Sequence, residues 1–365
     1  MKKKIRAAFL TDIHVGHPQV PSNVIRENLM RWCYPLLDST IDILFFGGDF
    51  FHTLLDMNSR DGYFARTIID DLIKLAKQHE FYIRVDTGTF KHDRKQLQFF
   101  LSEEEPMLDG LPLVRVFKEM TIERLPNLDL DVLYIPDSLP YNDSAERIYI
   151  ALKNNHLKQV DFIVNHGYFE HLVPKGVLQP KNTLSWEKIK SIVKGCVLNG
   201  HVHTPSIYHN VIVGGSFERM NHGEEGEKGF FIIDYDHKSC KYTFVENKTA
   251  CLFKTFRFEE STTLDQFIQW VKDEGLDQTQ IYHLRLLGDN PGTKAEITSY
   301  IKTNYPKVVL KTEGLNAKTK ENISKTTFEE TELTPVTEQN LPVMVHEFIG
   351  KKLSIDRIEE IISGK

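Results

Sequence analysis

Three features of this 365-residue sequence predict an α/β fold. Short apolar runs of strand length alternate with amphipathic stretches of helix length. Strand, polar loop and helix then recur several times along the first two hundred residues. The Asp and His residues of those loops fall directly after the apolar runs, where the strand ends of an open α/β sheet form a crevice.

The elements follow in order. Residues 4–11 are an apolar run that ends at Asp12-Ile13-His14. A helical pattern over 23–38 offers Val24, Leu29, Trp32, Leu36 and Leu37 as inward residues. Residues 41–46 read as a buried strand that delivers Gly47-Gly48-Asp49. Residues 60–79 carry Phe64, Ile68, Leu72 and Leu75 on one stripe with Ile69, Ile73 and Ala76 beside it. That stripe is wider than one core face needs, which fits either a helix buried between two layers or a subunit interface. Phe81–Val85 precedes the loop of His92-Asp93, Val160–Val164 precedes Asn165-His166, and Gly195–Leu198 precedes Gly200-His201-Val202-His203. From about 206 to 247 the chain turns β-rich, which suggests a second sheet packed on the first.

A composition shift near 250 marks a smaller unit read as strand 252–258, helix 264–274, strand 281–287, helix 294–303 and strand 308–312. Leu264, Phe267, Ile268 and Val271 give its first helix a face, and Gly275 suits the C-terminal cap. The reading therefore divides the chain into 1–248, an α+β unit at 249–313, a polar linker at 314–340 and an amphipathic end at 341–365. In that end Pro342 fits the first turn of one helix and Ser354 the cap of a second. Val345, Phe348, Ile349, Ile358, Ile361 and Ile362 are too few for a core, so they are expected to dock on the protein's own body or on a partner.

Composition narrows the classes. Hydrophobic residues make up 41% and charged residues 26%, the balance of a soluble globular protein with material for a sizeable core. No apolar run reaches the roughly 18 residues a membrane span needs. The basic Met1-Lys2-Lys3-Lys4 start leads into a stretch interrupted by Arg6, a first core strand rather than a signal peptide. The four cysteines (Cys33, Cys196, Cys240, Cys251) lack zinc-ligand spacing and read as buried free thiols in a reducing cytoplasm. A net charge of −6 gives no overall basic footprint, yet bound cations and local lysines would still accommodate phosphates.

Any one of the five Asp/His stretches would be unremarkable, since a lone Asp12 is often a helix cap and a lone His a satisfied surface or core residue. In series they describe a phosphoesterase centre. Phosphodiester hydrolysis needs an activated water, charge neutralisation at phosphorus and a stabilised leaving oxygen, and two cations about 3.5–4 Å apart supply all three. Asp49 is the natural bridging carboxylate. Asp12, His14 and His203 are expected to complete one site, and His166 and His201 to serve the other. Mixed imidazole and carboxylate ligands suit Mn²⁺, Fe²⁺ or Zn²⁺ better than Ca²⁺.

These residues and their flanks resemble the calcineurin-like metallophosphoesterases, and within them the SbcD-type nuclease branch. Three stretches carry the likeness: Thr11-Asp12-Ile13-His14-Val15-Gly16, Gly48-Asp49-Phe50-Phe51-His52, and Gly214-Gly215-Ser216-Phe217-Glu218-Arg219 with Glu224-Glu225-Gly226-Glu227-Lys228-Gly229. The resemblance implies a four-layer αββα sandwich over most of the first 245 residues. It also implies a DNA-contacting cap near 250–312 and a C-terminal segment that holds an ATPase. The implied activity is manganese-dependent exonuclease and endonuclease action on DNA ends in recombination or repair, by a homodimer working with an SbcC-like ATPase. His52 would stabilise the transition state, and His92, oriented by Asp93, would protonate the leaving oxygen.

One departure stands out. The family's third motif is Gly-Asn-His-Asp/Glu, whose Asn binds the second metal, whereas this chain has Gly88-Thr89-Phe90-Lys91-His92-Asp93. Counting back from His92 puts Lys91 in the Asn slot; counting forward from Gly88 puts Thr89 there. A weaker or differently built second site is expected, with Mg²⁺ as a further candidate occupant. Lys91, Arg94 and Lys95 are candidate DNA-backbone contacts. The competing functions are a phosphatase or cyclic-nucleotide phosphodiesterase, and a catalytically weakened scaffold of a recombination complex. A scaffold, however, has no use for a mutually repelling cluster of acids and imidazoles.

Overall fold

The computed structural model describes residues 4–93, 96–101, 106–137, 144–173, 183–276 and 282–314. The chain is mixed α/β. Its first half runs β1 (Ile5–Leu10), α1 (Ser22–Asn28), β2 (Ile43–Phe46), α2 (Arg60–His79) and β3 (Tyr82–Asp86). A hairpin of β4 (Met107–Leu108) and β5 (Leu111–Pro112) leads to β6 (Val114–Phe117), β7 (Thr121–Leu125), β8 (Leu130–Ile135) and α3 (Ser144–Asn154). Then come β9 (Val160–His166), α4 (Trp186–Ile189), β10 (Val193–Gly200), β11 (Ser206–Tyr208), β12 (Val211–Val213), β13 (Gly229–Tyr235) and β14 (Cys240–Glu246). The chain continues through β15 (Leu252–Arg257), α5 (Leu264–Asp273), β16 (Tyr282–Leu287), α6 (Pro291–Asn304) and β17 (Val308–Glu313).

Two six-stranded sheets dominate, ordered β14-β13-β1-β2-β3-β6 and β11-β12-β10-β9-β8-β7. Strands β1, β2, β3 and β6 are mutually parallel, as are β8, β9, β10 and β12. Alternate residues of β1 serve two cores. Ala8 and Leu10 pack with Ile25 and Leu29 of the first helical segment and Ala65, Ile68 and Leu72 of α2. Ile5, Ala7 and Phe9 share a second core with Val132, Phe162, Val164 and Leu198 of the other sheet. Burial on both faces explains why these strands are continuous apolar runs instead of alternating ones. The opposite face of the second sheet (Leu133, Ile163, Val197) forms a third core with Ile148 and Leu152 of α3 and Ile189 of α4.

The β-rich stretch at 206–247 does not build a sheet of its own. β11 and β12 extend the second sheet beside β10, while β13 and β14 extend the first beside β1. The pattern of one strand says nothing about its partner, and these partners lie far away in sequence. The helical pattern at 23–38 also changes character. After α1 the chain widens into one π-helical turn at Leu29–Cys33 and tightens to a 3-10 turn at Tyr34–Leu36, carrying Pro35. The inward face becomes Ile25, Leu29, Cys33 and Leu37, with Leu36 exposed and Val24 and Trp32 half-buried. In α2 the buried face is Ala65, Ile68, Ile69, Leu72 and Ala76, while Phe64, Ile73 and Leu75 are half-buried.

Contacts divide the chain into a compact unit ending at Glu313 and a second from Gly314 onward. Within the first, β15, β16 and β17 form a parallel three-stranded sheet with its own core of Phe256, Phe267, Val271, Leu284, Leu286 and Ile297. Gly275 (φ +61°) ends α5: its N–H reaches the Lys272 carbonyl, and that of Leu276 reaches Val271. Phe253 of β15 also enters the core beneath α2, which ties this sheet to the larger body. The four cysteines are free thiols, as expected, with Cys33, Cys196 and Cys251 buried and Cys240 half-buried. No helix among the described residues is long and apolar enough to cross a membrane. The linker at 314–340, apart from Gly314, and the end at 341–365 with Val345, Phe348, Ile349, Ile358, Ile361 and Ile362 lie outside the described residues.

Candidate metal centre

The predicted Asp and His residues converge beyond the carboxyl ends of β1, β2, β3, β9 and β10, around a cleft of about 280 Å³. The loops after β1 and β2 continue the pairing of the strands. Asp12 N–H donates to the Gly48 carbonyl at 3.0 Å and His14 N–H to that of Asp49 at 3.1 Å. Asp12, His14, Asp49 and His201 all have left-handed backbone, with φ of 51°, 54°, 51° and 79°. Asp and His tolerate that region better than most residues but at a cost of about 1 kcal/mol each. Gly48 is obligatory at its position. Its φ is +91°, and a Cβ there would stand 2.5 Å from His166 Nδ1.

Three groups of donors converge among the described residues; one is His14, His52 and His92, and the other two are those expected from the sequence. In the first of those two, His14 Nε2 and His203 Nε2 stand 3.1 Å apart and 3.9 and 3.8 Å from Asp12 Oδ1. That oxygen is buried and accepts no hydrogen bond among the described residues. In the second, His166 Nε2 is 3.2 Å from Asp49 Oδ2 and 3.3 Å from His201 Nδ1. Asp49 Oδ2 is also 4.0 Å from His14 Nε2, which places this carboxylate between the groups. Three converging donors with an orphaned buried oxygen fit a divalent cation.

Partners behind these groups set their tautomers. His166 Nδ1 donates to the Gly47 carbonyl at 2.6 Å, leaving Nε2 to face Asp49. His203 Nδ1 donates to Glu224 Oε1 at 2.9 Å, leaving Nε2 toward Asp12. Buried Lys228 locks Glu224, its Nζ donating to Glu224 Oε2 at 2.7 Å, the His203 carbonyl at 2.7 Å and Ser216 Oγ at 2.8 Å. Burial works to raise the Glu224 pKa, yet His203 and Lys228 hold it down to about 2. Nothing in the spacing of Glu224 and Lys228 marked them in the sequence as supports of a candidate ligand.

Electrostatically the centre asks for positive charge. Burial disfavours a charged His166, but Asp49 and Asp12 beside it raise its pKa well above the ordinary value. A proton there stands where a cation would. Burial lowers His14 well below its ordinary value and takes His201 to about 4, so both offer neutral lone pairs. Burial raises Asp12, whose charge needs a partner to persist.

In the ambiguous loop it is Thr89, not Lys91, that stands beside Asp49. The Thr89 N–H donates to Asp49 Oδ1 at 2.5 Å, and its Oγ1 lies 3.1 Å from Asp49 Oδ2 and 3.5 Å from His166 Nε2. Lys91 is exposed and does not line the cleft; Arg94 and Lys95 lie outside the described residues.

His52 and His92 both line the cleft. His52 Nδ1 is 3.4 Å from His14 Nδ1, and the His92 ring stands edge-on to His14 with centroids 4.9 Å apart. The role expected of Asp93 changes. His92 Nδ1 is held by the His52 carbonyl. The Asp93 carboxylate accepts from the backbone N–H groups of Gly88 (2.8 Å), Asp49 (2.9 Å) and Phe51 (3.2 Å) instead. It is a buried latch joining the β2 and β3 loops, and burial with Asp49 nearby pushes it up to about 7. A carboxylate this deep bonds whichever donors the closing loops leave unpaired.

No protein-family model matches the chain, and no curated protein matches it in sequence.

Proposed function

We propose that the chain is a metal-dependent phosphodiester hydrolase of the SbcD-type nuclease branch, cleaving DNA ends in recombination or repair. The observation that carries this reading is the pairing of two ligand groups, Asp12/His14/His203 and Asp49/His166/His201, with Asp49 between them. Helices, two packed sheets and helices around three cores support the four-layer αββα sandwich such a centre implies. On this reading the 249–313 unit is a DNA-contacting cap, and the 341–365 segment docks an SbcC-like ATPase in a complex built on a nuclease homodimer.

Divalent cations, Mn²⁺ first, would be held by Asp12, His14 and His203 on one side and by His166 and His201 on the other. Asp49 would be shared. When bound they lower the pKa of water and draw charge from the phosphate. The chain's own groups do the rest. His92, its Nδ1 committed to the His52 carbonyl, keeps Nε2 to exchange a proton with the leaving oxygen. His52 faces the same cleft and donates to a phosphate oxygen as charge builds. Glu224 keeps His203 in the tautomer that presents Nε2.

The test is cleavage of end-labelled duplex DNA with Mn²⁺, Mg²⁺ or chelator, with and without an SbcC-like ATPase. Asp49→Asn is the control, and p-nitrophenyl phosphate is assayed in parallel. Metal-dependent DNA cleavage lost in Asp49→Asn is the expected result. Equal cleavage by variant and wild type sinks the reading. Turnover of the small phosphate alone transfers the chain to the phosphatases.

A further inference from the structure

We infer that the Thr89 hydroxyl is a protein ligand of the second cation, completing Asp49, His166 and His201, and that it makes occupancy of that site graded with metal concentration. The inference rests on the metal-centre reading above. It is carried by four donor-to-donor distances. Thr89 Oγ1 is 3.1 Å from Asp49 Oδ2 and 3.5 Å from His166 Nε2. His166 Nε2 is 3.2 Å from Asp49 Oδ2 and 3.3 Å from His201 Nδ1. Ligands at about 2.0–2.2 Å from one small divalent ion stand roughly 2.8–3.6 Å apart on adjacent corners of an octahedron or tetrahedron. All four spacings fall in that interval.

The loop holds the hydroxyl there without help from an ion. Thr89 N–H is anchored on Asp49 Oδ1 at 2.5 Å, and a Cβ at Gly88 would sit 2.1 Å from Asp49 N. That close approach brings residue 89 onto the carboxylate instead of residue 91. The hydroxyl proton points to Asp49 Oδ2, which leaves the oxygen lone pairs for a cation. A hydroxyl is nevertheless a poorer donor than an amide carbonyl, whose oxygen carries extra charge by resonance. The site of Asp12, His14 and His203 has no such substitution. The two sites therefore fill in sequence, the first before the second, and turnover follows the second.

Manganese binding to the full chain, followed by calorimetry and by the electron paramagnetic resonance of the spin-coupled pair, tests this. The series is Thr89→Val, Thr89→Ser and Thr89→Asn. Valine keeps the shape and removes the oxygen. It should weaken the second binding event by about tenfold or more and abolish the coupled spectrum, with the first event unchanged. Serine should bind as the wild type does, and asparagine should tighten the second event. Two wild-type affinities in Thr89→Val overturn the inference and leave the metal centre standing. A wild type that binds no manganese overturns both. Serine controls for misfolding, since a folded Thr89→Ser that behaves like Thr89→Val also removes the hydroxyl from the account.

Discussion

Glu224→Gln alters one atom of a side chain that stands behind His203, and it should weaken both the fold and the candidate centre. Glu224 is surrounded by donors. Oε1 accepts from His203 Nδ1 at 2.9 Å and Asn221 Nδ2 at 2.7 Å; Oε2 accepts from Lys228 Nζ at 2.7 Å and from Ser216 Oγ and Met220 N at 3.3 Å each. A glutamine must set its NH₂ against one of these groups. It also leaves the Lys228 ammonium, 1% exposed, without a counter-charge. Breaking a fully buried ion pair costs about 3–5 kcal/mol, and because the Glu224 side chain is itself 10% exposed the low end, about 3 kcal/mol, applies. Loss of the His203 orienter should weaken cation affinity by about 10–100-fold. Urea unfolding in chelator reads the first effect and manganese titration the second. The double variant Glu224→Gln/Lys228→Met removes the stranded charge, so it should recover much of the stability and none of the affinity. An unchanged unfolding midpoint together with unchanged manganese affinity in Glu224→Gln refutes the reasoning.

Two further outcomes follow from the packing at Gly88 and the burial of Glu218. In Gly88→Ala the new methyl would stand 2.2 Å from Asp49 Oδ1, so the carboxylate must move. We expect manganese binding to fall at both sites and stability to drop by about 1–3 kcal/mol, with the circular dichroism of the fold retained; wild-type binding by this variant contradicts the close approach. Burial pushes Glu218 from 4.5 up to about 7 although Asn28, Asn247 and Cys251 donate to it. Its folded form thus holds the proton more tightly than its unfolded form. The stability this contributes is complete below about pH 4.5 and is lost as pH rises through 7, at most about 3 kcal/mol. Glu218→Gln imitates the protonated acid, so between pH 5 and pH 8 its urea stability should fall less than that of the wild type; parallel slopes would show that Glu218 does not titrate there.

The Asp and His residues of the candidate site were legible because they follow apolar runs, and strand ends are where an α/β sheet exposes side chains. The loop of Thr89 was not, because counting from either end of a lengthened segment gives a different residue. The choice is made in space, by the contact of Gly88 with Asp49. The Asp93 latch was invisible for a related reason, since its partners are backbone groups from positions 49, 51 and 88. Leu36 misled because the 3.6-residue period assumes an unbroken α-helix, and the π turn before it shifts the phase. Arg84 lies inside a run read as apolar and is fully buried. It is tolerated because Glu123 pairs with it at 2.8 Å and the carbonyls of Ile83, Pro112 and Leu113 accept from it.

The left-handed backbone at Asp12, His14, Asp49 and His201 has a consequence for the life of the protein as well as its chemistry. At about 1 kcal/mol each, the four together weigh against the folded form by a sizeable share of the roughly 5–15 kcal/mol that separates a domain from its unfolded chain. A cation that binds only the folded form restores that margin in proportion to the logarithm of its free concentration. On the proposed function, metal supply would then govern how much of the protein escapes proteolysis, as well as how fast each molecule turns over. Starvation for divalent ions would lower the abundance of the protein along with its activity.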